Sequence, residues 1–71
     1  MKKDVTNRGF SVIHFTDSRG VKCSLQKSSL ATEDAIWLGV DYASTTHMHL
    51  TKEQASEIIK VLQVFVETGD L

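Results

Sequence analysis

Seven consecutive residues, Cys23-Ser24-Leu25-Gln26-Lys27-Ser28-Ser29, bring three hydroxyls, an amide, an ammonium and a thiol into one short passage. Hydroxyl, amide and ammonium groups are the donors that hold phosphate oxygens or the polar edge of a nucleobase, helped by backbone N–H groups. Arg19 and Lys22 stand just before this passage, and the imidazoles of His47 and His49 follow further on. The expected ligand-binding set is therefore Arg19, Lys22, Ser24, Gln26, Lys27, Ser28, Ser29, His47 and His49. The plainer alternative is a polar, exposed strand face running into an ordinary turn. No glycine-rich phosphate loop is present, so an anion site here has a non-standard build.

Other chemistry is weaker. Cys23 with a histidine suggests a thiol nucleophile, but its alternation with Val21 and Leu25 points the sulfur into a core, where a thiol is inert. His47 and His49, spaced as H-x-H, would project from one face of a strand, and such pairs ligate zinc or copper; His14 joins them only if its strand lies alongside. A structural zinc site calls for four ligands at recognisable spacing, and Cys23 is the only cysteine, so no metal is expected. Glu33 and Asp34 are adjacent and point apart on an extended chain, a poor acid–base pair. Trp37, two residues before Gly39, suits a core, an interface anchor or a stacking platform. With no nucleophile, base and orienting group in one set, the expected class is a binding protein, not an enzyme, and no cofactor is expected.

The elements that must position these groups are short. Phe10-Ser11-Val12-Ile13-His14-Phe15 is rich in strand formers. Thr16 to Gly20 is a turn: Asp17 can open it, and Gly20 can take the left-handed conformation that closes a bulged hairpin loop. Val21 to Gln26 then alternates strictly, with Val21, Cys23 and Leu25 on one side and Lys22, Ser24 and Gln26 on the other. Lys27 to Asp34 reads as a loop or a single helical turn. Ala35 to Val40 is a third strand, apolar on both faces, hence expected to be central or covered twice. Asp41 to Thr46 is a connection, and His47 to Leu50 is a possible short fourth strand with Met48 and Leu50 inward.

The helix carries the strongest local signals. Thr51 and Gln54 fit a capping box, and Glu53 in the first turn suits the helix dipole. Ala55, Ile58, Ile59, Leu62, Phe65 and Val66 form an apolar stripe, with Val61 and Val64 off it. Gly69 is the expected C-cap, with Leu71 folding back as in a Schellman motif. The predicted fold is α+β: a β-β-β-(β)-α chain in which a small antiparallel sheet is covered by one C-terminal amphipathic helix. Residues 1–9 are expected to be a flexible arm and residues 10–71 the single domain.

The chain has 71 residues, enough for one domain with a marginal core. A lone cysteine excludes an internal disulfide and suits a reducing compartment. The N-terminus turns polar at once, without the apolar run of a signal peptide, and no stretch is long enough to span a membrane. A cytoplasmic protein without membrane partners is expected. The net charge of −1 lacks the basic face of a strong nucleic-acid binder and the dense acidic face of a DNA mimic. One helix cannot cover both sheet faces, so the surplus apolar groups predict a homo-oligomer, with Trp37, Phe15 and Tyr42 as interface anchors.

Phe15-Thr16-Asp17 with Gly20, then Cys23 to Ser29, Ala31-Thr32-Glu33, Ile36-Trp37-Leu38-Gly39, Met48-His49-Leu50-Thr51, Glu53-Gln54 and the ending Phe65-Val66-Glu67-Thr68-Gly69-Asp70-Leu71 resemble a widespread family of small uncharacterised bacteriophage proteins. The resemblance covers nearly the whole chain from Phe10 onward and brings no catalytic residues with it. Many members of that family have a longer insertion before Met48, where this chain has only Tyr42 to His47. The resemblance implies a phage accessory protein that counters host antiviral defence. One route is to sequester a phosphate-bearing, cyclic nucleotide immune signal. The alternative is to dock on and block a host defence protein such as a CRISPR effector.

Overall fold

The computed structural model describes residues 1–29, 32–42 and 47–71. Four strands and one helix follow in order: β1 (Lys2–Val5), β2 (Ser11–Thr16), β3 (Lys22–Lys27), β4 (Ile36–Val40) and α1 (Lys52–Thr68). The strands form one antiparallel sheet in the order β1-β2-β3-β4, and α1 packs on one face of it. This is the predicted α+β arrangement.

The β2–β3 hairpin follows directly from the sequence. Asp17 donates its N–H to the Val21 carbonyl (2.9 Å) and Gly20 its N–H to the Asp17 carbonyl (3.1 Å). Gly20 closes the loop at φ 84°, in the left-handed region where a side chain costs energy. The register sets Ile13 opposite Leu25 and Phe15 opposite Cys23. Because side chains alternate across a strand, one face carries Ser11, Ile13, Phe15, Cys23, Leu25, Ile36, Leu38 and Val40. Ile13, Leu25, Ile58 and Leu71 form the buried centre, flanked by Phe15, Ile36, Leu50, Val61, Leu62 and Phe65.

The helix begins as its sequence dictates. The Thr51 hydroxyl accepts the Gln54 N–H (3.1 Å), and the Gln54 carboxamide oxygen accepts the Thr51 N–H (3.1 Å), so both halves of the capping box are made. The Gln54 amide also reaches across to the Thr16 carbonyl (2.6 Å), fixing the helix start to the end of β2. At the other end Gly69 has φ 78° and bonds back to the Phe65 carbonyl (2.7 Å). A Cβ at Gly69 would stand 2.6 Å from the Asp34 carboxylate, so space as well as conformation demands glycine. The ending is the simpler αL motif and not the Schellman form expected: the Asp70 N–H goes to the Thr68 hydroxyl (3.2 Å). Leu71 is nevertheless buried against the core.

Four expectations need correction. The supposed arm over residues 1–9 contains β1, paired to β2 from Lys2–His14 to Val5–Ser11. Its charges suit a solvent-facing edge strand. The Ala35–Val40 run is not central: β4 is the opposite edge, and Trp37 remains 63% exposed. His47 to Leu50 is not a strand, although Leu50 does point into the core. On the helix, Ile59 and Val66 stand exposed while Val61 joins the core, so the buried stripe is rotated from the one expected. The Asp41–Thr46 connection, beyond Tyr42, lies outside the described residues. Among those residues no helix is long and apolar enough to cross a membrane.

Candidate functional site

With α1 on one face, the described residues leave most of the other face of the sheet open. The pleat puts Lys2, Asp4, His14, Thr16, Lys22, Ser24, Gln26, Trp37 and Gly39 there, along with the buried Val12. Two adjoining shallow hollows of about 470 Å³ each occupy it. One is bordered by Lys2, Asp4, His14, Lys22, Asp41 and Tyr42. The other is bordered by His14, Ser24, Gln26, Trp37, Gly39 and Tyr42. Gly39 lies opposite Ser24, and a Cβ built on it meets nothing within 4 Å. The missing side chain is what opens the space between Trp37 and Tyr42.

The rims of these hollows have a definite character. Tyr42 is 90% exposed and Trp37 is largely so, offering two aromatic rings to solvent. The Ser24 hydroxyl donates to the Asp41 carboxylate (2.8 Å), which holds that loop against β3. Lys2 and Lys22 are exposed and make no ion pair among the described residues. Asp4 and Asp41 balance their charge. The face thus combines stacking surfaces, donors and acceptors near overall neutrality.

The expected donors do not all meet there. Lys22, Ser24 and Gln26 do. Lys27 falls on the helix-covered face, where its ammonium pairs with Asp34 (2.9 Å) and lies 5.6 Å from the centre of the Phe65 ring. Ser28 is buried, with its N–H bonded to the Ala35 carbonyl (2.9 Å); Ser29 is exposed beyond the end of β3. Arg19, His47 and His49 gather at the hairpin turn instead. Arg19 donates to the His47 carbonyl (2.6 Å), and the His49 ring bonds the Ser18 hydroxyl. Of the expected anchors, Trp37 and Tyr42 are exposed, whereas Phe15 packs against the core. Among the described residues no group of three or more His, Cys, Asp and Glu is placed to hold a metal ion. The Cys23 thiol is fully buried, and burial pushes its pKa up.

No protein-family model, curated protein or solved structure matches this chain.

The residue that sequence reading undervalued is Asp17. Its buried carboxylate accepts the N–H groups of Arg19 (2.9 Å), Val21 (2.9 Å) and His49 (3.0 Å). It thereby ties the hairpin turn to the segment that leads into α1. The Val21 N–H, followed by those of His49 and Arg19, holds the carboxyl below its ordinary pKa, against the upward push of burial. Asp70 is held low in the same sense, first by the Leu71 N–H and then by the Ser11 hydroxyl. For a carboxylate whose folded pKa is depressed, the stabilisation is complete above the unfolded value and is lost as pH falls through the folded one. The melting temperature should therefore be level near neutrality and fall below about pH 4. Asp17→Asn should melt lower than the wild type at pH 7 and show a shallower acid limb. Identical pH–melting curves for the two proteins would show that the latch contributes nothing.

Proposed function

We propose that this chain is a non-catalytic binding protein that captures a small phosphate-bearing nucleotide on the open face of its sheet. The observation that carries the reading is the pairing of two exposed rings, Trp37 and Tyr42, around the vacant position of Gly39, beside Ser24, Gln26 and Lys22. A nucleobase stacks on aromatic faces whatever its identity. Its polar edge then meets hydroxyl, amide and carboxylate groups, and its phosphate meets the ammonium groups of Lys22 and Lys2. Two lysines offset by Asp4 and Asp41 suit one nucleotide better than a polymer, whose binding is dominated by many phosphate contacts. The biological setting that follows from the resemblance is a phage accessory protein acting in the host cytosol, where it withdraws a cyclic nucleotide immune signal.

A second reading uses the same rings differently. Exposed Trp and Tyr side chains are preferred anchors of protein interfaces, so the face also suits docking on a host defence protein such as a CRISPR effector. A thermal-shift panel of cyclic and linear nucleotides separates the two. A ligand of the native state must raise the melting temperature, by an amount set by its concentration over Kd. The expected result is a rise with at least one nucleotide that is lost in Lys22→Glu and Ser24→Ala, whose unliganded melting stays near wild type. Silence across the panel, with a stable host-protein complex recovered by pull-down, would replace capture by docking.

A further inference from the structure

The free edge of β4 has a backbone pattern that can be read from its neighbours. Asp41 donates its N–H to the Lys22 carbonyl, and Ser28 donates its N–H to the Ala35 carbonyl, both at 2.9 Å. Antiparallel pairs alternate between hydrogen-bonded and non-bonded positions. Ala35, Trp37, Gly39 and Asp41 therefore spend their backbone groups on β3. Ile36, Leu38 and Val40 turn their N–H and C=O groups outward, to an edge that no strand occupies among the described residues.

Native sheets guard such edges with charge, proline or bulges. The other edge, β1, carries Lys2, Lys3 and Asp4. The β4 strand reads Ile-Trp-Leu-Gly-Val and carries no guard. It is also complementary to itself. Antiparallel pairing about Leu38 sets Leu38 against Leu38 and Ile36 against Val40, each pair exchanging backbone hydrogen bonds. Trp37 then meets Gly39 at a non-bonded position, where the Cα atoms approach to about 4.5 Å. The largest side chain of the strand thus covers the one position that has none, and a Cβ at Gly39 would meet no atom of the described residues within 4 Å.

The helix adds to the same border. Glu53 and Glu57 lie beside Met1, at the β1 side. At about 100° per residue, Ile59 and Val66 fall on the opposite flank, toward β4, and both are exposed. Trp37, Leu38, Ile59 and Val66 are all large apolar residues left exposed, the kind of surface that a partner covers. No charged side chain lies between Ile36 and Val40 to oppose its own copy.

We infer that β4 is the seam of a symmetric homodimer, in which two sheets join edge to edge and the partner's Trp37 packs over Gly39. A two-fold axis normal to the sheet places both helices on one side and joins the two open faces on the other. The partner's Trp37 then takes up the space over Gly39 and borders what remains of the hollow beside Ser24 and Tyr42. The inference stands without the nucleotide reading, since it is tested with no ligand present.

Light scattering on the wild-type chain at tens of micromolar should give twice the mass of one chain. Leu38→Lys sets two ammonium groups against each other at the axis and should give the mass of a single chain with an unchanged circular dichroism spectrum. Leu38→Glu should behave likewise, and an equimolar mixture of the two variants should recover the doubled mass, which shows that each is folded. Trp37 is the only tryptophan, so its emission should shift to the red on dilution of the wild type and stay fixed in Leu38→Lys. A wild-type monomer, a Leu38→Lys dimer, or a mixture that stays monomeric would each overturn the inference.

Discussion

Leu25→Ala should destabilise the domain by roughly 2–5 kcal/mol, the range for a leucine truncated inside a packed core. Leu25 is 0% exposed and sits between Ile13 on β2 and Leu38 on β4, beneath the helix. A chain of this size has a total stability on the order of 4–10 kcal/mol. One substitution therefore removes a large share of it, and the variant should be partly unfolded at 37 °C. Denaturant titration followed by circular dichroism measures the loss. A leucine on the helix, Leu62, is only half-buried and should lose less on the same change. Equal midpoints for Leu25→Ala and the wild type would mean that the core lies elsewhere.

Tyr42→Ala should do the reverse: leave stability near wild type and weaken binding of the nucleotide proposed above. The ring is 90% exposed and borders both hollows of the open face. Stacking of a base on an aromatic side chain contributes about 1–3 kcal/mol, a loss of about 5- to 150-fold in affinity. Isothermal titration with whichever nucleotide gives the largest thermal shift measures it. An unchanged Kd would remove Tyr42 from the site and leave Trp37 as the only platform.

These two predictions follow from one physical economy. A small chain has too little apolar surface to cover a sheet twice. Its single helix is therefore spent on one face, held at its start by the Gln54–Thr16 bond and at its end by Leu71. Among the described residues, most of the other face and the outer edge of β4 remain uncovered. The Asp17 latch ties the hairpin turn to the segment that leads into α1 and so supports the approach of the helix.

Local interactions were legible in the amino-acid sequence. The capping box of Thr51 and Gln54, the left-handed turns at Gly20 and Gly69, and the alternation from Val21 to Gln26 each depend on neighbours within a few residues. The same alternation separates Ser24 and Gln26 from Lys27, so the division of the donor cluster between two faces was available from parity alone. Pairing was not legible. β1 is Lys-rich because it is an edge, and polar residues at a chain start read equally well as a frayed arm. β4 is apolar on both sides, which in sequence is the mark of a central strand; that its outer side lies open depends on β1 joining β2 and on no strand forming at His47 to Leu50. Arg19, His47 and His49 were read as ligand donors, and Asp17 as a turn former, because their contacts span about thirty residues of chain. The sequence by itself determined where the hairpin turns and where the helix starts and stops. The tertiary structure alone decided which face and which edge stay open, because those depend on long-range pairings whose backbone groups are the same in every residue.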